Sequence, residues 1–269
     1  WKAPHNEGSS IIDYAVNLSP GGTRTFSASG SGTQTQVISG LTNGVEYTAS
    51  VSARNDKGSS AASQFSTSAV PYGAPGPVGG IAASYDSVGS GTGQVATVNV
   101  SWNAPSNANG RAIEYYTVSA GQISKKVPAS SGTSTALEGV EFSNTQVKVT
   151  VTATNDSSQA HSHTSPVSSA SIWVVGRPLA PSISSVKPTG QDNQATISWN
   201  GSAAGQGWKS GELSYEWSAG GPWTALNGNT ISGHGLSNGT ATNVKIRAVG
   251  AKTGSTAYSS DSNSVSVTP

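Results

Sequence analysis

Apolar and polar residues alternate along this chain in short runs of period two, each bounded by Gly, Pro, Asn or Ser. From Ser39 to Asn55, SGLTNGVEYTASVSARN, residues Tyr47, Ala49, Val51 and Ala53 alternate with Thr48, Ser50, Ser52 and Arg54. That repeat predicts a half-buried strand, entered through Leu41 and the turn Thr42-Asn43-Gly44. The stretch returns as HGLSNGTATNVKIRAVG between His234 and Gly250, and more loosely as VKVTVTATN from Val147 to Asn155. Trp1, Trp102 and Trp199 open similar patterns at intervals of 101 and 97 residues, the size of a β-sandwich repeat. No segment sustains a helical period, so the pattern predicts an all-β chain.

Within the first repeat, strands are predicted at Ile11–Val16, Thr23–Ala28, Gln34–Ile38, the Tyr47 stretch and Gln64–Val70, about five against the seven of a complete sandwich. The second repeat supplies the comparison: Val78–Ser84 and Val95–Trp102 read as its first two strands, and Ile113, Tyr116 and Val118 then repeat the spacing of Ile11, Tyr14 and Val16. The first repeat thus lacks its first strand and nearly all of its second. In the third, Ile183 and Val186, Ile197 and Trp199, then Tyr215 and Trp217 mark the opening strands, and Ser264–Pro269 closes it. The joints Pro71–Pro77 and Gly176–Pro181 are short and rich in proline, which limits bending and predicts a semi-rigid rod.

Trp1 with Pro4, Ile11/Tyr14/Val16, Leu41 six residues before Tyr47, and the Asn55-Asp56-Lys57-Gly58 hairpin resemble the marks of fibronectin type III modules, in particular the bacterial, actinobacterial extracellular kind. The resemblance implies three tandem immunoglobulin-like β-sandwiches at 1–72, 75–177 and 179–269, the first N-terminally incomplete. It also implies a structural core signature of Trp1, Tyr14, Leu41, Tyr47, Trp102, Tyr116, Trp199, Tyr215 and Leu236. In the family, the leucine and tyrosine brace the crossover between sheets, a role that falls to Leu41 and Tyr47. Leu236 keeps the leucine, but Thr242 and Val147 replace the tyrosine.

Composition narrows function mainly by exclusion. A formal net charge of +1 with 10% charged residues offers no field for nucleic acid or anionic lipid. No apolar run reaches membrane-spanning length. Cys is absent, excluding disulfides and zinc thiolates, and the lack of Met and of a signal peptide suggests a piece of something longer. On that reading the chain continues upstream, and a strand from upstream sequence or another chain completes the first module. No nucleophile elbow, phosphate loop or zinc-protease motif occurs, so no catalytic residue, cofactor or metal site is assigned. His161 and His163 lie two apart, as a metal pair on a strand would, yet no third ligand accompanies them and they read as loop histidines. Asp86, Asp192 and Asp261 are too isolated for a calcium site.

Aromatic residues supply one ligand hypothesis. Trp199 and Trp217 fall on core positions, which leaves Trp208 and Trp223 in loops as candidate ligand contacts, able to stack on a sugar or to fold over the sandwich edge. The sequence thus predicts a non-catalytic extracellular spacer or adhesion segment of a larger surface or secreted protein, with a protein or glycan ligand unidentified. The alternative is an accessory module of a secreted polysaccharide-degrading enzyme, either glycan-binding or merely linking.

Overall fold

The structure, a computed structural model, describes residues 1–87, 95–156, 158, 163–201, 206–209, 211–252 and 255–269. The described strands pair into several antiparallel sheets, and the described residues contain no α-helix, only a 3-10 turn at Ala129–Ser131. The chain divides into two compact units. One joins Trp1–Pro77 with Pro105–Tyr115 and Ala153–Pro166; the other joins Val78–Ala104, Tyr116–Thr152 and Val167–Pro269.

The N-terminal sheet contains β1 (Asp13–Ser19), β2 (Gly22–Ser27), β3 (Thr48–Asn55) and β4 (Gly58–Ser59) in the order β2-β1-β3-β4. Tyr14, Val16 and Leu18 are buried and stand opposite Ala53, Val51 and Ala49. Cross-strand partners share a face, so the alternation read in the sequence becomes one apolar surface. Trp1 closes part of it, edge-on to Tyr14 with ring centroids 5.3 Å apart. Opposite this face the chain pairs only briefly: Lys2 bridges Thr33, while Trp1 and Gln34 exchange backbone bonds of 3.0 and 2.7 Å. The strand predicted at Gln34–Ile38 is therefore absent. From residue 35 to residue 38 the chain forms no bridge, and Val37 is 87% exposed.

Next come β5 (Gly79–Ser87), β6 (Val95–Asn103), β7 (Tyr115–Ala120), β8 (Ile123–Pro128), β9 (Ser134–Glu141), β10 (Val147–Thr154) and β11 (Ser168–Ile172). They form sheets β5-β6-β9 and β11-β10-β7-β8. Val98, Val100, Trp102, Tyr116, Val118, Leu137, Val149 and Val151 are buried between them, the inward set of an immunoglobulin-like β-sandwich.

The C-terminal strands are β12 (Ser182–Pro188), β13 (Gln194–Asn200), β14 (Leu213–Ser218), β15 (Thr224–Ala225), β16 (Thr230–Ser232), β17 (Thr242–Lys252), β18 (Ser255–Tyr258) and β19 (Val265–Val267). Sheet β12-β13-β16 faces β15-β14-β17-β18, with β19 also paired to β17. Ile183, Ile197, Trp217, Ile231, Leu236 and Ile246 share its core, against which Trp199 and Tyr215 are partly buried.

Where the sequence predicts a strand at Gln64–Val70, the chain instead forms a strap with a three-residue period. The amides of Ser60, Ser63, Ser66 and Ala69 donate to the carbonyls of Ala53, Val51, Ala49 and Tyr47. Three strap residues thus cover the span of two strand residues, about 2.2 Å per residue against about 3.3 Å for a strand. At that pitch the strap's carbonyls cannot meet every strand amide. The serines fill in: the Oγ atoms of Ser60, Ser63 and Ser66 accept from the amides of Ala53, Val51 and Ala49 at 3.0, 3.0 and 3.1 Å. Each hydroxyl then donates to the carbonyl of the next residue. The device recurs at Ser165 on Ala153, and at Ser259 and Ser262 on Ala248 and Ile246.

Candidate functional site

The most elaborate polar construction lies in the first compact unit, around residues 71–77. Asp156, only 1% exposed, follows β10 and accepts the Tyr72 hydroxyl at 2.5 Å and the Arg111 guanidinium at 2.8 Å on the same Oδ2. Its other oxygen accepts the Ser158 hydroxyl and amide at 2.6 and 2.9 Å. These donors, Ser158 first and Tyr72 next, hold the Asp156 carboxyl well below the usual range, against the opposing effect of burial. The same bond to Asp156 pushes the Tyr72 phenol up. Arg111 also stacks over the Tyr72 ring, its Cζ 4.9 Å from the centroid, and His163 packs on that ring at 4.9 Å. His161 lies outside the described residues.

Backbone bonds continue the grip. Gly73 N–H donates to Asn109 O at 3.0 Å and Gly76 N–H to Asn107 O at 2.9 Å. The Asn109 side chain donates to Ala74 O at 2.8 Å, and that of Asn155 to the carbonyls of Gly73 and Ala108 at 2.8 and 3.0 Å. Gly110 is required at the tightest point: its φ is +92°, and a Cβ there would lie 2.5 Å from Gly44 N and 2.7 Å from Pro71 O. The sequence reading missed Tyr72, Arg111 and Asp156. The signal available was the dipeptide Asn55-Asp56 returning as Asn155-Asp156 at the end of the equivalent strand.

In the second compact unit the candidate ligand contact Trp208 is corrected to a core residue. It is 2% exposed, and its Nε1 donates to Gly176 O at 2.9 Å. Gly250 makes room for the ring, since a Cβ there would lie 2.7 Å from Trp208 Cη2. Lys252 Nζ lies 4.2 Å from the Trp173 centroid and 5.3 Å from that of Trp208, and it bonds Gly207 O at 2.9 Å and Glu212 at 3.0 Å. The loop indole is thus enclosed by the chain's own lysine and glycine, with no face left for a sugar. The Lys209 amide, and after it Lys252, hold the Glu212 carboxyl low.

Trp223 is half-buried and shares Arg247 with Tyr258: the guanidinium carbon is 4.4 Å from one ring centroid and 4.2 Å from the other. Arg247 is tied to Glu216 at 2.7 Å. One face of Trp223 is therefore occupied by a cation that its own sheet supplies.

Of the signature residues, Tyr14, Trp102, Tyr116 and Leu236 are buried, while Trp1, Leu41, Tyr47, Trp199 and Tyr215 are partly buried. Burial raises the Tyr116 phenol. Tyr47 Oη accepts the Thr42 amide at 3.0 Å, the bond of a tyrosine corner. Among the described residues, no three His, Cys, Asp or Glu side chains are grouped to hold a metal, and no helix is long and apolar enough to cross a membrane. Comparison with the curated proteins gives no match. Residues 1–69, the stretch that carries the N-terminal sheet and its tyrosine corner, match the family model of the fibronectin type III domain.

Proposed function

We propose that the chain is a non-catalytic spacer or adhesion segment of a larger extracellular protein, built from three fibronectin type III modules at 1–72, 75–177 and 179–269. The observation that supports this reading is the pinned segment after the first module. Tyr72, Gly73, Ala74 and Gly76 are each hydrogen-bonded to residues of 105–115 or 153–166. A tether that only joined domains would need no such bonds, whereas a strut must resist swivelling at its joints.

Hydrogen exchange and limited proteolysis across 71–77 test the proposal. Protected Gly73 and Gly76 amides and slow cleavage are expected; exchange and cleavage at the rate of an unfolded peptide would overturn it. A strand from upstream sequence or another chain completing the first module is part of the same proposal, its place being the apolar side chains Trp1, Tyr14, Val51 and Ala53 beside the strap. The glycan-binding alternative now rests on Trp223 alone. It predicts saturable fluorescence quenching by cell-wall or plant polysaccharides that Trp223→Ala abolishes, and the spacer reading predicts none.

A further inference from the structure

In the second sandwich a cleft of about 330 Å³ opens between the β7–β8 turn and the segment joining β9 to β10. Ile123, Val140, Phe142 and Val147 form its apolar wall. We propose that this cleft binds the phenol ring of a tyrosine presented by a partner polypeptide.

The N-terminal sheet shows what such a cleft holds. Ile12 N–H donates to Arg54 O, and at the same place in the second sandwich Glu114 N–H donates to Thr154 O. Tyr47 and Val147 each stand seven residues before those carbonyls, so they occupy corresponding positions, Tyr47 one residue before β3 and Val147 the first residue of β10. The Tyr47 ring lies against the β1–β2 turn, where a Cβ on Gly21 would meet Tyr47 Cε1 at 3.5 Å. In the β7–β8 turn, the nearest atom to a Cβ on Gly121 is Val147 Cγ1, at 3.8 Å. An isopropyl group thus stands where the first sheet places a phenol, and the space vacated is the cleft.

The covering segment differs as well. Leu41 lies six residues before Tyr47, but Phe142 only five before Val147, so the second corner is one residue shorter and is not tied down by a tyrosine hydroxyl. Rim chemistry narrows the ligand. Glu141 and Lys148 carry opposite charges on the rim, which favours a neutral ring over an ion. The exposed amides of Gln122 and Gln146 offer donors and acceptors suited to the backbone on either side of a tyrosine, and that points to a polypeptide as the source of the ring.

The test titrates the full chain with N-acetyl-tyrosinamide, followed by amide and methyl NMR. Saturable shifts at Gly121 and Lys148 are expected with a dissociation constant on the order of 1 mM, as suits a single ring. Phenol protons should show Overhauser contacts to the Val147 and Ile123 methyls in the unaltered chain. Val147→Tyr, which supplies the ring internally, should weaken binding at least about tenfold, a change equal to one step of the affinity scale; Ile123→Trp fills the cleft from the other wall and should do the same. The proposal is overturned by shifts that do not saturate, by contacts to other methyls, or by unchanged binding in a folded Val147→Tyr or Ile123→Trp chain. Equal affinity for p-cresol would overturn the polypeptide as source.

Discussion

Tyr72 donates its hydroxyl to the buried Asp156 carboxylate at 2.5 Å, across 84 residues of sequence. The bond joins a residue of the proline-rich joint to the loop after β10, and Arg111 binds the same oxygen from a second loop. Asp156→Ala removes the acceptor of both donors while leaving the Asn107 and Asn109 carbonyls in place. Exchange of the Gly73 and Gly76 amides should then accelerate by about tenfold or more, the factor that one lost charge-assisted bond gives. Tyr72→Phe, which spares the Arg111 bond, should accelerate it less. Equal protection in the native and Asp156→Ala chains would show that the backbone bonds alone hold the joint.

The same pair sets a pH window. Asp156 has a folded pKa depressed below its unfolded value, so its contribution is present above the ordinary carboxylate pKa of about 4 and is lost as pH falls through the folded value. Tyr72 is raised, so its contribution is present below the ordinary phenol pKa of about 10 and is lost as pH rises through the folded value. Protection of Gly73, corrected for intrinsic exchange, should be flat between those limits and fall on both sides. In Asp156→Ala the acid-side fall should disappear.

The serine strap yields a graded prediction. Ser262 is 9% exposed and covers the amide of Ile246, which is itself fully buried. Ser262→Ala leaves that N–H unsatisfied, at a cost of about 1–3 kcal/mol. Ser63 is exposed and serves Val51 at the surface, where water can replace the hydroxyl, so Ser63→Ala should cost about 0.5 kcal/mol or less. Denaturant unfolding of the two variants checks the order, and a reversed order would show that the hydroxyls are incidental to the strap.

The strap also marks where the sequence stops being readable. Tyr14 and Val16 are legible because a strand with one buried face must repeat every two residues. Ser60, Ser63 and Ser66 repeat every three, a spacing outside the period-two template that predicts a strand at Gln64–Val70. Trp208 misled for a different reason. Its burial depends on Gly250 and Lys252, more than forty residues away, and no local pattern carries that. Asp156 was overlooked because a lone acid after a strand is ordinary, until Tyr72 and Arg111 converge on it.

At the corner, Tyr47→Phe deletes the bond to the Thr42 amide while keeping the ring, and should cost about 1 kcal/mol. Leu41 is only partly buried, so Leu41→Ala should fall near 2 kcal/mol, the lower end of the range for leucine truncations. The same denaturant experiment reads both. A larger loss from Tyr47→Phe than from Leu41→Ala would place the corner's strength in its hydrogen bond and not in apolar contact.

Trp208 separates a structural indole from a ligand-binding one. Truncation to alanine removes a ring that is 2% exposed, strips the cover from Lys252 and leaves Gly176 O without its donor. A cost of about 3–5 kcal/mol follows from cavity formation. Trp208→Phe retains most of the packing and loses chiefly the Nε1 bond, about 1 kcal/mol. Both losses should appear in denaturant unfolding without any sugar present, and added polysaccharide should not change them. Were Trp208→Ala as stable as the native chain but deficient in glycan binding, the indole would have to leave its enclosure in solution, and the packing around Gly250 would not be the state that functions.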